Sequence, residues 1–120
     1  MHSLYQQQIM DHYHFPRHKG ILEGEGCVCS QQGNPSCGDQ ITVYLHVKDD
    51  KVHDAKFTGT GCILSLAAAD MLIEHIQGAS IEDLKKITPD SIKKMIGIEV
   101  GPTRIKCILL PLQAVQKLYA

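Results

Sequence analysis

The sequence predicts an α+β domain: a small antiparallel sheet of about three strands, covered on one face by helices. Three observations carry that expectation. Ile41, Val43, Leu45 and Val47 alternate with Thr42, Tyr44, His46 and Lys48, the period of two that a strand with one buried face requires. Cys62 to Ile76 and Ile105 to Tyr119 instead repeat their apolar residues every three or four positions, the period of a helix with one buried stripe. The elements run helix, strands, then several helices, so a parallel sheet built on strand and helix in alternation has no support. At 120 residues the chain, 1–120, reads as one domain, because domains commonly run to about 100–150 residues.

Taken in order, Leu4, Ile9 and Met10 with Tyr5 and Tyr13 space a short helix from Leu4 to His12. Phe15-Pro16 stops it, since proline disfavours helical backbone at the residue before it. Gly20 to Asp39 is punctuated by glycines and Asn34-Pro35, which marks turns with room for one short strand near Cys27 to Gln31. After the strong strand, Asp49-Asp50-Lys51 makes a polar turn, and Val52, Ala55, Phe57 and Thr58 form the return strand of a hairpin that Gly59-Thr60-Gly61 ends. Ile63, Leu66, Ala69, Leu72, Ile73 and Ile76 line one stripe of the longest helix. Ser80 with Asp83 resembles a capping box, and Thr88 before Pro89 is an N-cap followed by a first-turn proline, so short helices are expected over Ser80 to Lys86 and Pro89 to Met95, with Gly97 closing the second. Ile105 to Tyr119 forms the last helix, with Pro111 read as early enough to sit in its first turn.

Composition excludes several classes of function. Twelve Lys plus Arg against thirteen Asp plus Glu leave a net charge of -1, too weak a field to hold nucleic acid or an anionic membrane. No Trp, two Phe and four Tyr make poor platforms for stacking bases. No apolar run suits a signal peptide or approaches the roughly 20 residues of a membrane span, so a cytoplasmic location is expected. Five cysteines, an odd number without a secretory signal, then read as free thiols or ligands rather than a disulfide framework.

Four potential ligands stand at the ends of predicted elements. Cys37 and Asp39 precede the first strong strand, two residues apart, so their side chains project to one side and Gly38 lets the backbone pass close to whatever they hold. Cys62 falls in the first turn of a helix, where backbone N–H groups and the helix dipole favour a thiolate. Cys107 follows Arg104 and Lys106, two cations that stabilise its thiolate if they reach it.

The stretches Asn34-Pro35-Ser36-Cys37-Gly38-Asp39, Gly59-Thr60-Gly61-Cys62-Ile63-Leu64-Ser65 and Arg104-Ile105-Lys106-Cys107 resemble, in order and separation, the three cysteine motifs of the IscU/NifU N-terminal family of iron-sulfur cluster assembly scaffolds. Ile9-Met10-Asp11-His12-Tyr13 and Pro16-Arg17 resemble that family's opening helix and turn. The resemblance implies a SufE/NifU-like fold and a labile [2Fe-2S] cluster at Cys37, Cys62 and Cys107, with Asp39 close by. It also implies sulfur delivery as a persulfide from a cysteine desulfurase partner, and transfer of the cluster to apo-proteins. Cys107 is the first candidate acceptor of that sulfur, with Lys106 as support and Cys62 and Cys37 as alternates. Thiolates suit iron and sulfide, whereas a carboxylate is a harder, weaker partner, so a site with one oxygen ligand releases its cargo more readily than one closed by four cysteines.

Lys106 stands where IscU-type members carry a His, and a protonated lysine cannot coordinate. Lysine there resembles the SufU branch of zinc-bound sulfur acceptors, although the insertion of that branch between the second and third cysteines is missing. A zinc-dependent sulfurtransferase, with Zn2+ at Asp39 and the three cysteines, is therefore the alternative to the scaffold. Val100-Gly101-Pro102-Thr103-Arg104 replaces the Leu-Pro-Pro-Val-Lys segment by which an Hsp70-type chaperone grips IscU, which removes the support for chaperone-assisted delivery. Outside the motifs, Cys27 and Cys29 read as structural. His12, His14 and His18 crowd the N-terminal segment without forming a separate metal site, His46, His53 and His75 read as solvated, and Lys85, Lys86, Lys93 and Lys94 as a solvated face.

Overall fold

The computed structural model describes residues 4–35 and 38–119. Its elements are α1 (Leu4–His14), β1 (Cys27–Asn34), β2 (Asp39–Lys48), β3 (Lys51–Thr60), α2 (Ile63–Ile76), α3 (Ile81–Lys85), α4 (Pro89–Ile96) and α5 (Pro102–Tyr119). The strands form one antiparallel sheet in the order β1-β2-β3. Helices α2 and α5 pack on it, α2 against β3 and α5 against β1 and β2, while α1 lies on α2.

The alternation in β2 does what the pattern predicts: Ile41, Val43 and Leu45 are wholly buried against the helices. Lys48 pairs with Lys51 across a two-residue turn in which Asp49 and Asp50 both have positive φ, 55° and 60°. That left-handed pair matches the twist of a hairpin, and aspartate tolerates it better than most residues. In β3 the buried residues are Val52, Ala55 and Phe57, so the strict alternation slips by one residue at a bulge opposite His46 and Val47. Residues 18–20 run along the outer edge of β3, the N–H of Phe57 donating to the carbonyl of His18 at 3.0 Å and the N–H of Gly20 to that of Phe57 at 2.8 Å, which satisfies an edge strand that would otherwise be open.

Besides α1, which runs two residues past His12 to His14, two boundaries differ from the sequence pattern. β1 continues past Gln31 to Asn34, because Gln32, Gly33 and Asn34 find partners in Ile41, Gln40 and Asp39 and the ladder overrides their turn propensity. α5 begins at Pro102, a turn earlier than expected, its first bond running from the N–H of Ile105 to the carbonyl of Gly101 at 3.0 Å. Pro111 therefore lies inside the helix instead of its first turn. It cannot donate the helical bond to the carbonyl of Cys107, a cost offset by burial of Ile108, Leu110, Pro111, Leu112, Ala114 and Val115 in the core. The short helices carry the expected ends: the Ser80 hydroxyl accepts from the N–H of Asp83 at 3.1 Å, Thr88 and Ser91 form a reciprocal capping box, and Gly97 closes α4 at φ 75°.

Helix α1 is fastened by a buried carboxylate. Asp70 of α2 is fully buried, lies 2.6 Å through Oδ2 from Nδ1 of His12, and accepts the backbone N–H of His18 at 2.9 Å through Oδ1. Glu74, one turn on, lies 3.7 Å from Nε2 of His12 and 3.4 Å from Arg17. His12 and His18 are thus part of the framework.

Gly59 gives a direct test of sheet packing. A Cβ there would lie 2.5 Å from the carbonyl oxygen of Gln40 and 2.7 Å from Cδ1 of Ile41, and backbone cannot yield as a side chain can. Gly59→Ala is expected to lose about 2–3 kcal/mol of stability, read as a lower midpoint of urea unfolding at unchanged slope.

Candidate functional site

Three of the predicted ligands meet at one end of the sheet. Asp39 opens β2 and is 4% exposed, Cys62 is the N-cap of α2, and Cys107 lies in the second turn of α5 at 2% exposure. One ligand atom from each lies within 4.8 Å of the others. Cys37 lies outside the described residues. Among the described cysteines, Cys27, Cys29 and Cys62 are free thiols, as the odd count predicts.

Local structure fixes each group. Cys62 has extended backbone, and its Sγ accepts the N–H of Ser65 at 3.4 Å, the role a serine or aspartate oxygen usually fills at a helix start. The Ser65 hydroxyl returns a bond to the carbonyl of Cys62 at 3.0 Å. The N–H of Cys62 donates to Oδ1 of Asp39 at 3.2 Å, so carboxylate and thiol are joined through the backbone between them. Gly61 makes this approach feasible: a Cβ there would stand 2.6 Å from the Ser65 hydroxyl and 2.7 Å from Oδ1 of Asp39. Cys107 shares the buried stripe of α5 with Leu110, Pro111 and Ala114, and its thiol faces the carbonyl of Thr103 at 3.8 Å.

These groups line an open cleft of about 460 Å³, with Thr103 and Arg104 on the α5 side. Of the two cations flanking Cys107, Arg104 borders the cleft, whereas Lys106 is exposed and is not among the described lining residues. The exposure that a sulfur acceptor needs is greater at Cys62, which is partly exposed, than at Cys107. Sequence reasoning gave Ser65 no role beyond closing the second motif, and it missed Thr103, which carries no motif signal of its own. It also missed the wall formed by Gly61, for which the Gly-Thr-Gly run before Cys62 was the available sign.

The donor set suits a thiophilic metal. Two sulfurs and an oxygen match tetrahedral zinc, whose bond lengths of about 2.0–2.3 Å space the ligand atoms by roughly 3.4–3.8 Å, within about 1 Å of the spread seen here. The thiolates equally suit iron and sulfide.

Comparison with known proteins places the sequence and fold in a family. The sequence profile of the NifU-like N terminal domain matches residues 4–119. The zinc-dependent sulfurtransferase SufU of Bacillus subtilis is 37% identical over 96% of this chain and 88% of its own length. The iron-sulfur cluster assembly scaffold protein IscU 1 of Archaeoglobus fulgidus is 38% identical over 78% of this chain, and the match spans 61% of that relative. The crystal structure of a SUF-system scaffold protein from Fervidobacterium islandicum superposes with a TM-score of 0.75 at 28% identity, over 97% of this chain and 94% of that one. With the profile spanning nearly all of its residues and the cysteines of two motifs converging on one cleft, the chain belongs to the NifU-like N-terminal domain family.

Proposed function

We propose that the chain is a scaffold on which iron and sulfur from a cysteine desulfurase are assembled into a [2Fe-2S] cluster that is then handed to apo-proteins. The observation that carries this reading is the convergence of Asp39, Cys62 and Cys107, from three separate elements, on a cleft open to solvent. Cys37, two residues before Asp39 in the first motif, completes the thiol set. The cluster is cargo: one oxygen donor among sulfurs holds it less tightly than a fourth thiolate would.

Sulfur arrives by exchange. An acceptor thiolate attacks the outer sulfur of the desulfurase persulfide, the donor's S–S bond breaks with its electron pair left on the donor cysteine, and the acceptor carries the new S–S bond. Cys107 is the first candidate acceptor and Cys62, the more exposed of the two, its alternate. Arg104 borders the cleft, a cation on the side from which the anionic persulfide is held. Reduction of that sulfur to sulfide draws electrons from ferrous iron and from a thiol- or ferredoxin-class reductant.

A zinc-dependent sulfurtransferase is the second reading, favoured by the SufU relative and by Lys106 at the position of the IscU histidine. Among the described residues no helix is long and apolar enough to cross a membrane.

One experiment separates the two readings. Metal-stripped protein is mixed anaerobically with ferrous iron, cysteine and catalytic desulfurase, and the visible spectrum is recorded beside Cys37→Ser and Cys62→Ser. Cluster absorption that is lost in both variants and moves to an apo-ferredoxin is the expected result. No cluster, with zinc-loaded protein accelerating the desulfurase through a persulfide, would establish the sulfurtransferase instead.

A further inference from the structure

We propose that Pro111 is a positioning residue: it makes residues 102–107, the start of α5, a gate whose opening brings the Cys107 thiol out of the core.

Cys107 needs such a motion. A thiolate attacks a persulfide only where the two sulfurs can meet. Cys107 borders the cleft yet is 2% exposed, and its thiol turns back along its own helix toward the carbonyl of Thr103 at 3.8 Å. Cys62, which also borders the cleft, is already partly exposed. Burial along α5 shows which part can move. Pro102, Thr103, Arg104 and Lys106 are exposed and Ile105 is half-buried, so little ties this stretch to the core. Ile108, Leu110, Pro111 and Leu112 are buried and anchor the rest.

Proline sets the joint. An α-helix is a ladder in which each N–H donates to the carbonyl four residues back. In α5 that ladder starts with Ile105 on Gly101 at 3.0 Å, but Pro111 has no N–H, so the rung that would end on the Cys107 carbonyl is absent. The next rung inward is Leu112 on Ile108. Unwinding that proceeds from Pro102 through Cys107 therefore ends at a gap in the ladder, and the next rung is left intact. In the shorter helix that remains, Pro111 lies in the first turn, where its missing N–H is one that a helix leaves unused. Long and short forms of α5 are thus both compatible with the proline. At the other end Gly101 is exposed, and a Cβ there would meet nothing within 4 Å among the described residues, so the chain is free to turn. The gate carries Thr103 and Arg104, which line the cleft, and its closure returns the Cys107 sulfur to within 4.8 Å of the ligand atoms of Asp39 and Cys62. That the open form serves the desulfurase rests on the scaffold reading; the gate itself does not.

Pro111→Ala supplies the missing rung and removes the joint. The full chain and the variant, reduced and metal-stripped, are treated with iodoacetamide under native conditions, and alkylation of Cys107 and Cys62 is followed separately by mass spectrometry. Labelling of a buried thiol tracks the population of its open form, so Cys107 is expected to react at least about tenfold more slowly in Pro111→Ala, with Cys62 unchanged. A proline that merely fills the core would give the opposite sign, since its loss would loosen the packing and speed the labelling. Amide hydrogen exchange gives a second readout: residues 103–108 are expected to exchange more slowly in the variant, with 113–118 unaltered. Equal or faster alkylation of Cys107 in Pro111→Ala would overturn the proposal. Slower alkylation, with desulfurase sulfur found on Cys62 alone, supports the gate and counts only against Cys107 as the acceptor.

Discussion

Replacing Asp70 by alanine is expected to lower the stability of the domain by about 3–5 kcal/mol, the scale on which removing a buried acceptor leaves two donors unsatisfied and opens a cavity. The carboxylate is fully buried between α1 and α2, 2.6 Å from the imidazole of His12, and also accepts the backbone N–H of His18. Alanine strands both donors and adds a small cavity where the aspartate stood. A domain of this size is stable by roughly 5–15 kcal/mol, so the loss is a large part of the total. Urea unfolding followed by circular dichroism measures it, with Asp70→Asn as the contrast, because asparagine keeps an acceptor for His18 and loses only the charge. A loss under about 1 kcal/mol in Asp70→Ala would show that α1 is held by its apolar contacts alone.

Replacing Asp39 by alanine is expected to slow transfer of a reconstituted cluster to an apo-ferredoxin by about tenfold or more, equivalent to about 1.4 kcal/mol on the transfer barrier. The carboxylate lies among the ligand atoms of Cys62 and Cys107 and takes the N–H of Cys62 at 3.2 Å. Without it, the weakest donor is gone and that N–H turns to a sulfur of the cargo, which favours retention. Stopped-flow transfer under anaerobic conditions gives the rate. Equal rates for the two proteins would end the idea that the oxygen donor makes the site labile.

What could be read from the chain follows the range of the forces involved. The strand from Ile41, the stripe of α2 and the caps at Ser80 and Thr88 rest on neighbours a few residues apart, and each stands where its pattern places it. Family motifs brought Asp39, Cys62 and Cys107 together on paper, since spacing over some seventy residues cannot do so. Asp70 was not legible as a clamp: within Ala67-Ala68-Ala69-Asp70 it is a lone acid on an apolar helix, and its partner His12 is 58 residues away. The tail of β1 was lost because ladder pairing outweighed a glycine's turn propensity, and the early start of α5 because Pro102 stands at the first helical position, which proline's fixed φ suits.

No single element owns the cleft: one donor opens a strand, one caps a helix and one sits inside another helix beyond it. A chain whose last helix has come away no longer has the full set, so whatever these groups hold is held by the tertiary fold and its binding free energy adds to that of folding. Cargo at a hundred times its dissociation constant adds about 2.7 kcal/mol, which lowers the population of opened molecules by roughly a hundredfold. Delivery returns that protection all at once, and a protease that cuts only opened chains distinguishes the loaded protein from the spent one.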